Sequence, residues 1–309
     1  MKLLAVLALA LTIAAPAAGD VRVRWLGVAG FSIQADDTTL LFDPYLSRPG
    51  FWKTLLWRYR PDVGLLTRFT SPASPAPEMA SASLVLIGHS HFDHLGDAPW
   101  IAERTGATLV GSRTTVAIAQ GYGLPAEQTR RLDPGATLRH GAFEIRVVES
   151  RHAKVLLGRA PLVGEVTSPP AGAIHALSFK LGDARGYLVT HWRTGLRIYL
   201  LSSADRHLPA LETLRDDGVG VDLLLPAIQG RDAELGGDLV RTLRPRIVVP
   251  HHFDDFFRPL DDPDAAAPRD PEDLAAFGAE LRAAGDEAGV DLDLRTLGLF
   301  ETLTLSARN

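Results

Sequence analysis

His89-Ser90-His91-Phe92-Asp93-His94 directly follows the apolar run Leu84-Val85-Leu86-Ile87. A short, continuous apolar run is the mark of a strand buried on both faces, so the six residues begin where a buried strand ends. Side chains at i and i+2 on extended backbone point to the same side, which lets the imidazoles of His89 and His91 reach one metal ion. Asp93 and His94 fall in the turn beyond, where a reversing chain can aim a carboxylate and a third imidazole at the same spot. Three of the chain's ten histidines lie within these six residues. A lone histidine is more often an ordinary core or surface residue. Four potential ligands at this spacing, after a strand, mark a metal site.

Upstream, strand-like runs at 21–25, 31–34 and 38–42 are separated by Gly27, Gly30 and Asp36-Asp37, which are turn signals. Residues 51–80 differ in character. Phe51, Trp52, Leu55, Leu56, Trp57 and Tyr59 crowd together ahead of a Pro/Ser/Ala stretch at 71–77. This segment reads either as an insertion or flap, or as a cover that completes the core. Downstream, helices are expected at 98–104, 114–120, 208–215, 232–243 and 271–288. Strands are expected at 108–110, 143–148, 176–181, 187–190, 197–201, 221–225, 247–249, 292–297 and 299–305. Asp270 and Pro271 suit the N-cap and first position of the longest helix. No long polar linker divides the chain. The expected class is α/β: one domain over 20–309, with two mixed sheets packed between helices.

Composition narrows the chemistry. The chain has 309 residues, of which 46% are hydrophobic and 22% charged, as in an ordinary globular protein. A formal net charge of −5, with no basic run, gives no reason to expect a nucleic-acid partner. There is no cysteine, which excludes disulfides, a thiolate zinc site, a cysteine nucleophile and an iron–sulfur cluster together. Any metal must be held by imidazole and carboxylate, a set that suits zinc, manganese or iron. No Ser-x-x-Lys or Gly-x-Ser-x-Gly pattern offers a serine mechanism. Residues 1–19 read as a signal peptide: Lys2, an apolar run over 3–15, then the small residues Ala15-Pro16-Ala17-Ala18-Gly19. The run is short for a bilayer span of roughly 20 residues, and Pro16 interrupts it. The mature protein is therefore expected to be exported, periplasmic or secreted, with an uncleaved anchor as the alternative.

His-Ser-His-Phe-Asp-His resembles the HxHxDH motif of the metallo-β-lactamase superfamily, whose fold is an αββα sandwich holding one or two metals at a sheet edge. Trp25-Leu26-Gly27-Val28-Ala29-Gly30 and Leu41-Phe42-Asp43-Pro44 resemble its opening hairpin, and Glu149-Ser150-Arg151-His152 stands where its next ligand follows a strand. Pro250-His251-His252-Phe253-Asp254-Asp255-Phe256 is similar to the closing segment of the lactonase-like and phospholipase D-like branches, where the second residue after proline is commonly the ligand. The resemblance implies a first metal on His89, His91 and His152 and a second on Asp93, His94 and His252, with Asp43 orienting a ligand imidazole. Zinc, bound at about 2.0–2.2 Å by such ligands, is the implied ion, with manganese or iron as alternatives. The family usually places a bridging Asp just past a strand. Here the strand at 197–201 runs into Ser202-Ser203-Ala204-Asp205, so either Asp205 bridges through a longer turn or the bridge is missing.

The implied reaction is hydrolysis by a water whose pKa the cation lowers toward neutrality, with Asp93 taking its proton. The substrate is expected to be an ester, lactone or phosphodiester. The aromatics at 51–59 could line a cleft for a lipid-like chain, with Arg58 and Arg60 meeting an anionic head group, and the same segment could rest on a membrane surface. A catalytically weak or non-enzymatic metal-binding or assembly protein on this fold is the competing expectation. His140, His175, His191, His207 and His251 read as structural, with His175 and His207 the best placed of them to contact substrate.

Overall fold

Alternation along neighbouring strands divides the core in two. In the computed structural model, which describes residues 19–155, 157–205, 207–215 and 220–307, Leu40, Phe42, Leu84 and Leu86 enter one apolar cluster. Their neighbours Leu41, Val85 and Ile87 enter another. With a side-chain period of two, successive residues face opposite sides of a sheet. This sheet is therefore buried on both faces. Apart from Gly19, the expected signal segment lies outside the described residues.

Two seven-stranded sheets are present among the described residues. The first contains β1 (Val21–Gly27), β2 (Gly30–Ala35), β3 (Thr38–Phe42), β4 (Leu84–Leu86), β5 (Thr108–Gly111) and β6 (Thr129–Arg131). The second contains β7 (Thr137–His140), β8 (Phe143–Glu149), β9 (Arg185–His191), β10 (Arg197–Leu201), β11 (Leu223–Pro226), β12 (Ile247–Val248) and β13 (Asp293–Leu294). The last strand, β14 (Thr302–Leu305), returns to β1 of the first sheet. Each sheet is antiparallel in one half and parallel in the other. The parallel halves are β3 to β6 and β10 to β13.

Parallel neighbours need a crossover connection, and the helices supply it. Between β3 and β4 come α1 (Phe51–Leu56) and α2 (Val63–Phe69). Between β4 and β6 come α3 (Phe92–Leu95), α4 (Ala98–Thr105) and α5 (Arg113–Gly121). The second sheet is crossed by α6 (Leu208–Arg215), α7 (Leu235–Leu243) and α8 (Pro271–Ala288). Asp270 caps α8 by accepting from the Asp273 amide, and Gly289 ends it in the left-handed conformation at φ +61°. Between the sheets, Phe42 meets Tyr187 edge-on at 6.1 Å. Phe277 and Leu281 of α8 close the same cluster from the far side of the second sheet. The architecture is the expected αββα sandwich.

Several local expectations change. Residues 176–181 form no strand. Only Ala176 and Phe179 of that run are buried, a spacing of three, and Ala176–Ser178 is a 3-10 turn. The edge strands β6 and β7 carry too little apolar alternation to be read from sequence: β6 buries no residue and β7 only Leu138. The segment at 51–80 completes the core, since Tyr59, Leu66, Phe69, Ala76 and Met79 pack into the outer cluster of the first sheet. Among the described residues no helix is long and apolar enough to cross a membrane.

Candidate metal centre

The site forms where strands of both sheets end. Asp43 immediately follows β3 and Ser202 immediately follows β10; His89, His152 and His252 come a few residues beyond β4, β8 and β12. This is the edge at which ligands bind in α/β folds, beyond the carboxyl ends of parallel strands. His91 stands just before α3 on extended backbone, at φ −65° and ψ 156°, and Asp93 and His94 lie within that short helix. His252 is held in the left-handed region at φ +59°, and its amide donates to the Val28 carbonyl at 3.0 Å.

Two groups of ligand atoms result. His89, His91 and His152 form one; Asp93, His94 and His252 form the other; within each, the ligand atoms lie within 4.8 Å of one another. The second group converges closely. His252 Nε2 is 3.3 Å from His94 Nε2 and 3.4 Å from Asp93 Oδ2. In the first group, Nε2 of His89 and of His91 is buried and has no hydrogen-bond partner. Buried polar nitrogens without a partner are rare and costly, and nitrogens aimed together at one point suit a cation. The six residues therefore fit a metal ion or a pair of them.

Three of the other ring nitrogens are already committed. His94 Nδ1 meets Asp43 Oδ2 at 2.7 Å, His89 Nδ1 meets Ser202 Oγ at 2.9 Å, and His152 Nδ1 meets the Ala153 carbonyl at 2.7 Å. His91 lies against the Pro161 backbone, and His252 Nδ1 is buried without a partner. Asp43 is itself fixed, accepting from the Gly88 amide at 2.7 Å and from Ser202 Oγ at 2.6 Å. Orientation of this kind by a carboxylate or carbonyl is what metal-binding imidazoles require.

Electrostatics keep His89, His91, His152 and Asp93 in the forms that bind cations. Burial pushes the His89 imidazole well below its ordinary range, His91 down to about 3 and His152 down to about 4, with the neighbouring imidazoles adding to the effect. Each is neutral at pH 7, with a lone pair to give. Burial opposes ionisation of Asp93, but the imidazoles of His94, His252 and His91 outweigh it and hold the carboxyl well below the usual carboxylate range. Such a group keeps the charge that a cation ligand needs. Burial also opposes the charging of His94, but Asp43 and Asp93 reverse the balance and raise it.

The groups face a cavity of about 210 Å³ whose remaining wall is mostly apolar, including Phe92, Val155, Leu162, Phe256 and Phe257. Residues 51–59 do not line it. Phe51 instead packs edge-on behind Phe257 at 5.3 Å, and Arg58 donates to the Ala173 carbonyl at 2.8 Å.

Asp205, expected as a possible bridging ligand, joins neither group. The chain turns directly after Leu201, so Ser202 and Ser203 line the cavity, and Asp205 is carried past it. There it is half-buried, and the charges of Arg151, Lys154, Asp232 and His207 act on it. Ser203 Oγ accepts from the Ala153 amide at 3.0 Å, beside His152. Ser202 was not expected to act on a ligand. Its signal was positional, a polar residue at the first place beyond a buried parallel strand. His251 turns away and meets the Leu225 carbonyl at 3.1 Å. His175 meets the Leu55 carbonyl at 2.7 Å, and His207 faces Glu149 at 3.4 Å. Neither lines the cavity.

Comparison with known proteins agrees with this architecture. Residues 22–252 match the beta-lactamase superfamily domain, and the chain belongs to that family. Its relatives are metal-dependent hydrolases. A UPF0173 metal-dependent hydrolase of Methanopyrus kandleri is 27% identical over 280 residues, covering 88% of this chain and 95% of that one. Among solved structures, a metallo hydrolase from Ignicoccus hospitalis superposes with a TM-score of 0.60 at 19% identity, covering 94% of this chain and all of that one. A diiron beta-hydroxylase from Streptomyces venezuelae has a TM-score of 0.58 at 15% identity, covering 94% of this chain and 55% of its own. At such identities the last two speak to the fold alone.

Proposed function

We propose that the protein hydrolyses an ester, lactone or phosphodiester that carries an apolar, lipid-like group beside the bond broken. The observation that carries this reading is the composition of one cavity: six ligand residues on its floor, and Phe92, Val155, Leu162, Phe256 and Phe257 around it. His89, His91 and His152 would hold one ion, and Asp93, His94 and His252 a second. Zinc suits the all-nitrogen-and-oxygen set, as do manganese and iron. When bound, the ion supplies an acidified water and a Lewis acid for the substrate oxygen. The chain supplies the rest. Asp43 and Ser202 hold ligand rings at fixed angles, and the apolar wall excludes bulk water and receives the apolar part of the substrate.

The aromatic path runs outward, since Phe257 meets Phe51, which meets Trp52 at 5.2 Å. Trp52 and Trp57 are 67% and 59% exposed, with Lys53, Arg58 and Arg60 beside them. This supports reading α1 as a contact for a lipid-like substrate or an anionic membrane surface, since aromatics flanked by basic residues favour the interface. The N-terminal apolar segment supports an exported protein.

The test is a matched series of esters of increasing acyl length, with a lactone and a phosphodiester alongside, assayed on zinc-, manganese- and iron-loaded enzyme. The reading expects kcat/KM to rise with chain length in one series. Turnover independent of the apolar group would overturn it.

A further inference from the structure

We infer that Ser202 is a positioning residue for the metal ligands, and that through it one carboxylate, Asp43, sets a ligand in each of the two groups. This rests on the reading of those groups as a metal site. Ser202 Oγ lies 2.6 Å from Asp43 Oδ2 and 2.9 Å from His89 Nδ1. Asp43 Oδ2 also meets His94 Nδ1 at 2.7 Å. All four side chains are buried.

Proton counting decides the roles. A serine hydroxyl has one proton, and an ionised carboxylate only accepts. Asp43 therefore accepts the one hydrogen bond that Ser202 can donate, and toward His89 the hydroxyl is left with lone pairs alone. His89 must carry its own proton on Nδ1. Its Nε2 is then a bare lone pair, the atom that is buried without a partner. His94 reaches the same tautomer by donating to Asp43 directly. The serine thus passes the carboxylate's influence across to the first group, which Asp43 does not touch itself. Gly88 makes this approach possible, because a Cβ there would stand 2.1 Å from Ser202 Cβ and 3.1 Å from Asp43 Oδ2. The chain has a relay where a bridging carboxylate was expected, so the two ligand groups share an orienting carboxylate instead of a ligand.

The relay makes a selective demand. Ser202 Oγ also stands 3.3 Å from His94 Nδ1, but there Asp43 at 2.7 Å is the shorter partner. Loss of the hydroxyl should therefore disturb His89 far more than His94, whereas loss of the Asp43 charge should disturb both. Histidine tautomers are read by long-range proton–nitrogen NMR on metal-free protein, and affinity by zinc titration against a chelator. Wild type should show His89 and His94 both protonated at Nδ1. Ser202→Ala should mix the tautomers at His89, leave His94 protonated at Nδ1 through Asp43, and weaken one zinc equivalent about 10–100-fold, the scale for outer partners of metal ligands, with the other affected much less. Ser202→Thr, which keeps the hydroxyl, should restore the weakened equivalent, and Asp43→Asn should weaken both. A wild-type His89 protonated at Nε2, or Ser202→Ala binding both equivalents like wild type, would overturn the relay. If wild type takes up no zinc, the metal reading fails, while the tautomers still decide the role of Ser202.

Discussion

Arg48 Nη2 lies 2.8 Å from Asp254 Oδ2, and both side chains are fully buried. Asp254 also accepts from the Val28 amide, with both oxygens at 3.1 Å, and Arg48 Nη1 donates to the Ala265 carbonyl at 2.9 Å. The pair thus ties the first sheet's opening turn to the segment carrying His252. That segment needs tying, because left-handed backbone at a residue with a side chain costs about 1–2 kcal/mol and His252 sits at φ +59°.

Arg48→Ala should therefore act on both stability and the site. Removing one partner of a buried ion pair leaves an uncompensated charge and costs about 3–5 kcal/mol. Urea unfolding of the metal-free variant should show a loss of that size, and the zinc equivalent at Asp93, His94 and His252 should weaken with it. A loss below about 0.5 kcal/mol, within the range of ordinary surface substitutions, would show that the pair does not anchor the segment.

Gly88→Ala tests the crowding beneath the ligands. The added methyl meets Ser202 Cβ at 2.1 Å, a distance no real pair of carbons keeps, so Ser202 must shift off Asp43 or the strand ends must part. Overpacking of this kind costs about 1–3 kcal/mol. Thermal melting should record that loss, and zinc titration should show the first group weakened as in Ser202→Ala. A variant with wild-type zinc affinity would contradict the packing described.

How much of this was legible in the sequence follows from how local each signal is. The cluster from His89 to His94 could be read directly, because ligand spacing and strand position are both written within the eleven residues from Leu84 to His94. His152 and His252 became candidates only through resemblance, since nothing in their own neighbourhoods says which strand ends meet in space. Ser202 and Asp205 show the limit. Both follow the same strand, and acid chemistry favoured Asp205. The tight turn after Leu201 instead gives the cavity to the serines. The aromatics at 51–59 suggested a cleft wall, but Tyr59 is spent on the buried Asp97, to which it donates at 2.6 Å.

That buried carboxylate yields a further expectation. Asp97 accepts from the Leu46 and Ser47 amides, both at 2.7 Å, from Ser47 Oγ at 2.6 Å and from Tyr59. Asp97→Ala would orphan several of these donors at about 1–3 kcal/mol for each one left buried. Unfolding measurements should show a loss of at least about 3 kcal/mol, together with faster proteolysis across 46–60. Unchanged protection there would argue that the segment is held by its apolar contacts alone.

The depressed histidines fix the sign of a pH effect in the metal-free protein. His91 and His251 are pushed down to about 3 and His152 to about 4, chiefly by burial. In the unfolded chain the same rings take protons near pH 6.5. The unfolded state then binds more protons below that value, so stability is full above about pH 6.5 and is lost as pH falls toward about 4. Denaturant midpoints measured from pH 8 to pH 4.5 should decline on the acid side, and added zinc should raise them most toward pH 8, where the ligands are already deprotonated. Midpoints that rise on acidification would contradict the burial of these rings as neutral imidazoles.

The most direct measurement is metal content and hydrolysis followed together through stripping and reloading. Chelator-treated protein is assayed on the ester series, reloaded with zinc and assayed again, beside His91→Ala and His94→Ala carried through the same steps. Metal should bind, turnover should vanish on stripping and return on reloading, and each variant should lose one equivalent and its activity. Turnover that survives complete removal of metal, or variants that bind and hydrolyse like wild type, would contradict the site built on His89 to His94.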